Sequence, residues 1–216
     1  MRVVAISDLH GWLPPDVPEC DLLIIAGDIC PDAPGTESRA QLNASAEHQA
    51  RWLRERFIPW VERQAAREIV MCWGNHDYVG EVPAVVPPMP LRLMTDEAQE
   101  VSGLHIYASP WTSFAPEVWA FDVPPATLAG YMGRIPAGLD VLVTHGPPKG
   151  VLDRVRSGVH AGSDALLKAV ALTQPRLHIF GHIHECRGQQ GLSYNVAILD
   201  EDYKPYDMPV VAIEIE

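Results

Sequence analysis

Five short apolar runs recur along the chain: Val3–Ile6, Leu22–Ala26, Ile69–Trp73, Val141–Thr144 and Leu177–Phe180. Each is rich in Ile, Val or Leu, and the pattern predicts strands buried on both faces, as in an α/β sheet. Helical spacing lies between them. Ala50, Leu53, Phe57 and Val61 follow three-to-four periodicity within 45–66, with Asn43 or Ser45 as cap and Pro59 as a kink. Ser163 is placed to cap a second helix that runs to about Leu172 and stops before Pro175. Val101–Ala108 reads as one strand with a turn or bulge at Gly103, and Leu192–Ile198 and Val210–Ile215 as two more. The expectation is α/β (α+β), about eight strands and at least two helices. Early crossovers and late hairpins divide the strands between two sheets of a single domain, 1–216.

One stretch breaks the rhythm. Residues 109–139 are rich in Pro and Gly yet hold Trp111, Phe114, Trp119, Phe121 and Tyr131, too many rings for a linker. A lid or binding loop is one reading, and a loop whose rings fill a satellite core is the other.

The polar residues that follow the five runs carry the chemistry. They are Ser7-Asp8-Leu9-His10, Gly27-Asp28, Gly74-Asn75-His76-Asp77, His145-Gly146 and Gly181-His182-Ile183-His184. In open α/β sheets, sites form just beyond the carboxyl ends of the strands, where all five clusters fall. Asp-x-His alone is expected about 0.6 times by chance at this composition, but Gly-Asn-His only about 0.009 times and Gly-His-x-His about 0.03 times. Imidazole, carboxylate and amide oxygen together suit divalent Mn, Fe or Zn, with Mn preferred. No cysteine enters the clusters, which argues against a structural zinc knuckle. Asp8, His10, Asp28, Asn75, His145, His182 and His184 can serve two ions if one carboxylate bridges. Two ions about 3.5–4 Å apart can clamp a phosphoryl group and activate the water between them.

Composition narrows the partners. The chain has 216 residues, a hydrophobic fraction of 47% and a formal charge of −12. Such a surface disfavours long nucleic acids. Two divalent ions set against Asp8, Asp28 and a hydroxide would still leave a locally positive pocket for a small phosphate ester. No apolar run approaches the roughly 18 residues of a membrane span. Met1–Ile6 leads straight into a strand with no cleavable signal pattern, and the 4 cysteines form no C-x-x-C. A cytoplasmic protein with reduced thiols and no membrane partner is expected.

Asp8-x-His10, Gly27-Asp28, Gly74-Asn75-His76-Asp77, His145-Gly146 and Gly181-His182-x-His184 resemble the calcineurin-like metallophosphoesterase superfamily, in the family's order from residue 8 to residue 184. The resemblance implies a four-layer sandwich, two mixed β-sheets flanked by helices, with the metals beyond the strand ends. It implies that Asp8, His10 and His184 hold one ion and that Asn75, His145 and His182 hold the other, with Asp28 between them. His76 would lie by the phosphate as the general acid. Thr144–Gly150 and Phe180–Glu185 are further similar to the small metallophosphodiesterases related to brain-expressed vertebrate proteins. That points to cyclic nucleotide-like diesters, cleaved by in-line attack of a metal-bridging hydroxide. Asp77 departs from the family, where glutamate is common, at a position that is not a metal ligand. A phosphomonoesterase (nucleotidase or protein phosphatase) and a non-catalytic protein-binding module on the same fold stay open as alternatives.

The other notable side chains have plainer expected roles. His48, His105 and His178 fall within elements and are expected to be structural. His160 is expected at the surface or within reach of substrate, and Asn195 in support of the site. Trp12 and Tyr78 are expected either to stack on substrate or to pack.

Overall fold

The computed structural model describes residues 1–32, 41–113 and 119–215. Its first sheet has strand order β11-β1-β2-β3-β4, built from β1 (Arg2–Ile6), β2 (Cys20–Ala26), β3 (Ala66–Cys72), β4 (Arg92–Leu93) and β11 (Val211–Glu214). Strands β1 to β4 are parallel and β11 closes the edge antiparallel. The second sheet runs β5-β6-β7-β8-β10-β9, from β5 (Glu97–Val101), β6 (Leu104–Ser109), β7 (Val141–Thr144), β8 (Leu177–Phe180), β9 (Gly188–Gln190) and β10 (Ser193–Asn195). Its centre is parallel, and β5 and β9 are antiparallel edges.

Period-two alternation divides the apolar side chains between two faces of each sheet. Val3, Ala5, Leu22, Ile24 and Val70 face inward and meet Ile106, Ala108, Val141, Val143 and Ile179 of the other sheet. The opposite face of the first sheet, with Val4, Ile6, Leu23, Ile25 and Met71, is covered by Ala46, Ala50, Leu53 and Phe57. Tyr107 and Leu142, on the outer face of the second sheet, pack on Leu128, Met132, Leu166 and Ala169. The result is a four-layer sandwich of two mixed sheets between helices, as expected.

The helices are α1 (Leu42–Trp52), α2 (Ile58–Val61), α3 (Pro125–Met132) and α4 (Asp164–Thr173). A wider π turn, Leu53–Phe57, joins α1 to α2. It ends two residues before Pro59, which lacks the N–H that a regular helix would use. Neither Asn43 nor Ser45 caps this helix: it starts at Leu42 with no side-chain cap, and Ser45 is buried within it. Ser163 does cap α4, its Oγ accepting from the Leu166 N–H at 3.1 Å.

Val101–Ala108 is not one strand but parts of two. Ser102 and Gly103, both at positive φ, turn the chain between β5 and β6 into a hairpin. The short edges β4 and β9 also add to the expected strands; two or three residues give no periodicity to read. Within 109–139 the described residues include α3, and Leu128, Met132, Ile135 and Leu139 join the third apolar cluster. Trp111 stacks on Tyr131 at 4.1 Å. Phe114 lies outside the described residues. Cys20, Cys30, Cys72 and Cys186 are free thiols. Among the described residues no helix is long and apolar enough to cross a membrane.

Strand register aligns the chain's exits from both sheets. Ile6 pairs with Ile25 and Ala26 with Cys72, while Ser109 pairs with Thr144 and Val143 with Ile179. Beyond these ends the backbone bonds continue from loop to loop: Asp8 N to Gly27 O, His10 N to Asp28 O and Gly181 N to His145 O. Ser7 joins the sheets, donating to Val196 O and accepting from Ile198 N. Five strand ends therefore open onto one place.

Candidate metal centre

The seven residues that sequence spacing singles out converge there, in two groups that share an edge. In the first, His184 Nε2 is 3.4 Å from Asp8 Oδ1 and 3.3 Å from His10 Nε2. In the second, Asn75 Oδ1 is 2.8 Å from both His145 Nε2 and His182 Nδ1. Asp28 Oδ2 lies between the groups, 3.1 Å from His145 Nε2 and 3.7 Å from His10 Nε2. Asp8, Asp28, Asn75 and His145 are buried, and the other three half-buried.

Local backbone geometry aims these side chains. Asp8, His10, Asp28 and His182 all have positive φ, a region that costs a non-glycine residue of order 1–3 kcal/mol and marks sites where the surroundings enforce it. The loops also need glycines, among them Gly74, where a Cβ would collide with Asp28 and the His145 ring. Gly27 has φ +95°, and a Cβ there would collide with the His145 ring. A Cβ on Gly181 would collide with the side chains of Ser7 and Asp8.

The outer ring atoms are held by the backbone. His145 Nδ1 contacts Ala26 O and His184 Nδ1 contacts Asp200 O, each at 2.9 Å. With Nδ1–H held there, both rings turn Nε2 inward, and loss of the Nε2 proton to an incoming cation leaves the lone pair that a metal-binding imidazole needs. Asp8 accepts from the His182 N–H at 3.0 Å and from Ser7 Oγ at 2.5 Å.

Electrostatics mark the same crowding. Burial alone would raise the Asp8 carboxyl, but His184 and His145 outweigh it and bring it to about 2. Asp28 is likewise held well below the usual carboxylate range, His145, His76 and His10 outweighing its burial. Burial would lower His145 and His184, yet Asp28 and Asp8 respectively push them up to about 9. His10 and His182 are pushed down, to about 4 and about 3, chiefly by burial. Inward nitrogens facing one another beside ionised carboxylates fit divalent cations. Asp8, His10 and His184 form one group able to hold an ion, and Asp28, His145 and His182 another. The all-N/O donor set suits Mn, Fe or Zn without choosing among them.

Several residues around the centre escape a sequence reading. Asp32 Oδ1 sits 2.9 Å from His76 Nδ1, and His76 N–H donates to Asp28 Oδ1 at 2.7 Å. Burial would lower the His76 pKa, but Asp28 and Asp32 together raise it. No apolar strand directly precedes Asp32, and only its pairing with a histidine 44 positions away gives it a role. Trp119 lies 4.3 Å from His76, ring to ring, and Tyr203 lies 4.7 Å from His10.

Asp77 takes no place among the donors. Its carboxylate accepts the N–H groups of Ile29, Cys30 and Gly74, tying the loop after β2 to the loop after β3. Burial and Asp28 push it up to about 7. Asn195 donates to Ile183 O at 2.8 Å and accepts from Ala197 N, bracing the 181–184 loop. His178 is buried against Thr144 Oγ1, and burial drives it down to about 3. His105 is exposed, 3.9 Å from Glu100, and His48 is half-buried in α1. Trp12 packs at the edge of the first apolar cluster, and Tyr78 is buried within it. His160 is held by the buried Asp153, outside both donor groups.

Comparison with known proteins gives a consistent picture. The pattern of calcineurin-like phosphoesterases matches residues 1–186. Metallophosphoesterase domain-containing protein 1 of Homo sapiens is 30% identical over 244 residues, covering 97% of this chain and 70% of that protein. The UPF0046 protein T07D4.2 of Caenorhabditis elegans is 40% identical over 99 residues, covering 44% of this chain and 24% of its own length. Among solved structures, TT1561 of Thermus thermophilus aligns with TM-score 0.52 at 16% identity over 92% of this chain and 89% of that one. Another aligns with TM-score 0.68 at 14% identity over 100% of this chain and 99% of that one. Both structural likenesses concern the fold.

Proposed function

The chain belongs to the calcineurin-like phosphoesterase family, whose members are metal-dependent phosphoric ester hydrolases, and from that premise we propose that it is a two-metal phosphodiesterase acting on small esters. The position of Asp28 Oδ2, facing His145 of one donor group and His10 of the other, carries the two-metal reading. Asp8, His10 and His184 would hold one ion, Asn75, His145 and His182 the other, and Asp28 both. When bound, such ions supply Lewis acidity toward phosphoryl oxygens and lower the pKa of a bound water.

The protein's own groups supply proton handling and fit. His76 is raised in pKa by Asp28 and Asp32, so its imidazolium is favoured. With Nδ1 directed at Asp32, Nε2 carries the proton for the departing ester oxygen, a general-acid role. The surroundings favour a singly charged diester over a doubly charged monoester. Among the described residues, none of the hydrogen bonds or ion pairs made by the seven donor side chains is to a lysine or arginine. The rings of Trp119 and Tyr203 stand beside the centre instead. The strongly negative surface also sets small esters ahead of long polyanions, and Mn²⁺ is our choice of ion.

Paired assays on bis-p-nitrophenyl phosphate and p-nitrophenyl phosphate with Mn²⁺ test the reading. Turnover of the diester at the higher kcat/KM is expected. Turnover of the monoester alone would overturn it, and turnover of neither by metal-loaded protein would favour a binding module.

A further inference from the structure

Beyond residue 186, where the family match ends, the chain returns to the metal centre. The turn at 200–204 is tightly built. Asp200 Oδ1 accepts the N–H groups of Asp202 and Lys204 at 2.9 Å, and Asp200 N donates to Lys204 O at 2.8 Å. The same turn braces the centre. Asp200 O holds His184 Nδ1, and Tyr206 Oη donates to His184 O at 3.0 Å. At its tip Tyr203 is held at φ +61°, in the left-handed region that a bulky residue rarely adopts. That conformation directs the ring onto the candidate ligands, 4.7 Å from His10 and 5.4 Å from His184, edge-on to both. The ring nonetheless remains 51% exposed.

A half-exposed aromatic ring beside two candidate ligand imidazoles offers a flat apolar surface next to an ester seated at the ions. We propose that Tyr203 is a specificity-determining residue, whose ring packs against a flat aromatic substituent on the substrate's phosphorus. The inference rests on the phosphoesterase reading and adds the substrate class, aryl or heteroaryl esters over alkyl ones. Ring-on-ring packing of this kind tolerates many aromatic groups and draws on the ring face rather than on a hydroxyl. Phenylalanine should therefore replace Tyr203 and alanine should not.

Two measurements test it. Isothermal titration of Mn²⁺-loaded protein with phenylphosphonate and methylphosphonate reads binding without turnover. The unmodified protein and Tyr203→Phe should bind the phenyl compound about tenfold more tightly, and Tyr203→Ala should lose most of that preference. In turnover, bis-p-nitrophenyl phosphate and methyl p-nitrophenyl phosphate share a leaving group and differ only in the retained substituent. Tyr203→Ala should lower kcat/KM for the bis-aryl ester about tenfold more than for the methyl ester, chiefly through KM. An unchanged phenyl-to-methyl ratio in Tyr203→Ala, with metal content intact, would overturn the assignment, as would equal loss on both esters. Hydrolysis of neither diester by the unmodified protein, alongside a Tyr203-dependent titration ratio, would sink the phosphodiesterase reading and leave the ring's role standing.

Discussion

His76 stands apart from the seven donors: its Nδ1 faces Asp32, a residue of neither donor group of the two-ion reading, although Asp32 and His76 with His10 form a further cluster of metal-binding side chains. Replacing it should therefore remove chemistry and leave the ions in place. His76→Gln is expected to lower kcat roughly 10²–10⁴-fold while bound metal, measured by atomic emission, stays constant. Asp32→Asn should lower kcat by a smaller factor, because it weakens the orientation of the ring and leaves the ring present. Parallel loss of metal and activity in His76→Gln would show a structural role instead. At this scale the sequence is informative where a polar cluster follows a buried run, as at Asp8, His10, His145 and His182. Asp32 directly follows no such run, and Asp200 and Tyr203 follow the buried Val196–Leu199 with no histidine or paired motif to mark them; only tertiary folding brings all three against histidines of other segments.

Among the elements, the 147–163 loop shows how one buried carboxylate fixes a long connection. Asp153, 1% exposed, accepts from the Gly150 and Gly162 N–H groups at 2.9 Å and meets His160 Nδ1 at 2.6 Å. Burial would raise its pKa, but His160 and the two N–H groups prevail and lower it. A carboxyl with a depressed folded-state pKa stabilises the protein fully above its unfolded value and loses that contribution as pH falls through the folded one. Amide hydrogen exchange in this loop should therefore accelerate as pH drops below about 4, after correction for intrinsic rates. Asp153→Asn should cost about 1–3 kcal/mol in chemical denaturation at pH 7 and weaken the pH effect. An Asn variant with unchanged stability and exchange would remove Asp153 from this role.

The strands are the most legible elements, since full burial demands runs rich in apolar residues: Val141–Thr144 and Leu177–Phe180 match their strands end to end. Helix α3 is hidden because Pro124, Pro125 and Gly130 mask its periodicity, and Asn43 misleads because α1 already begins at Leu42.

For the whole molecule, the two sheets are what make the centre possible. Asp8, Asp28 and Asn75 leave the first sheet, His145, His182 and His184 leave the second, and Ser7 bonds across the junction. Gathering Asp8 and Asp28 together inside a chain of net charge −12 is electrostatically unfavourable without opposing charge. Here the histidines provide part of that charge, and divalent cations would provide it in full. The layered fold is readable in outline from the alternation of buried runs and crossovers. The meeting of both sheets at one edge follows from strand register, which no local pattern states.

The central claim is that this edge holds two ions side by side. Anomalous diffraction from a Mn²⁺-soaked crystal tests it directly. The account predicts two peaks about 3.5–4 Å apart, one against Asp8, His10 and His184 and one against Asn75, His145 and His182, with Asp28 touching both. A single peak, or peaks that leave Asp28 in contact with only one ion, would contradict it.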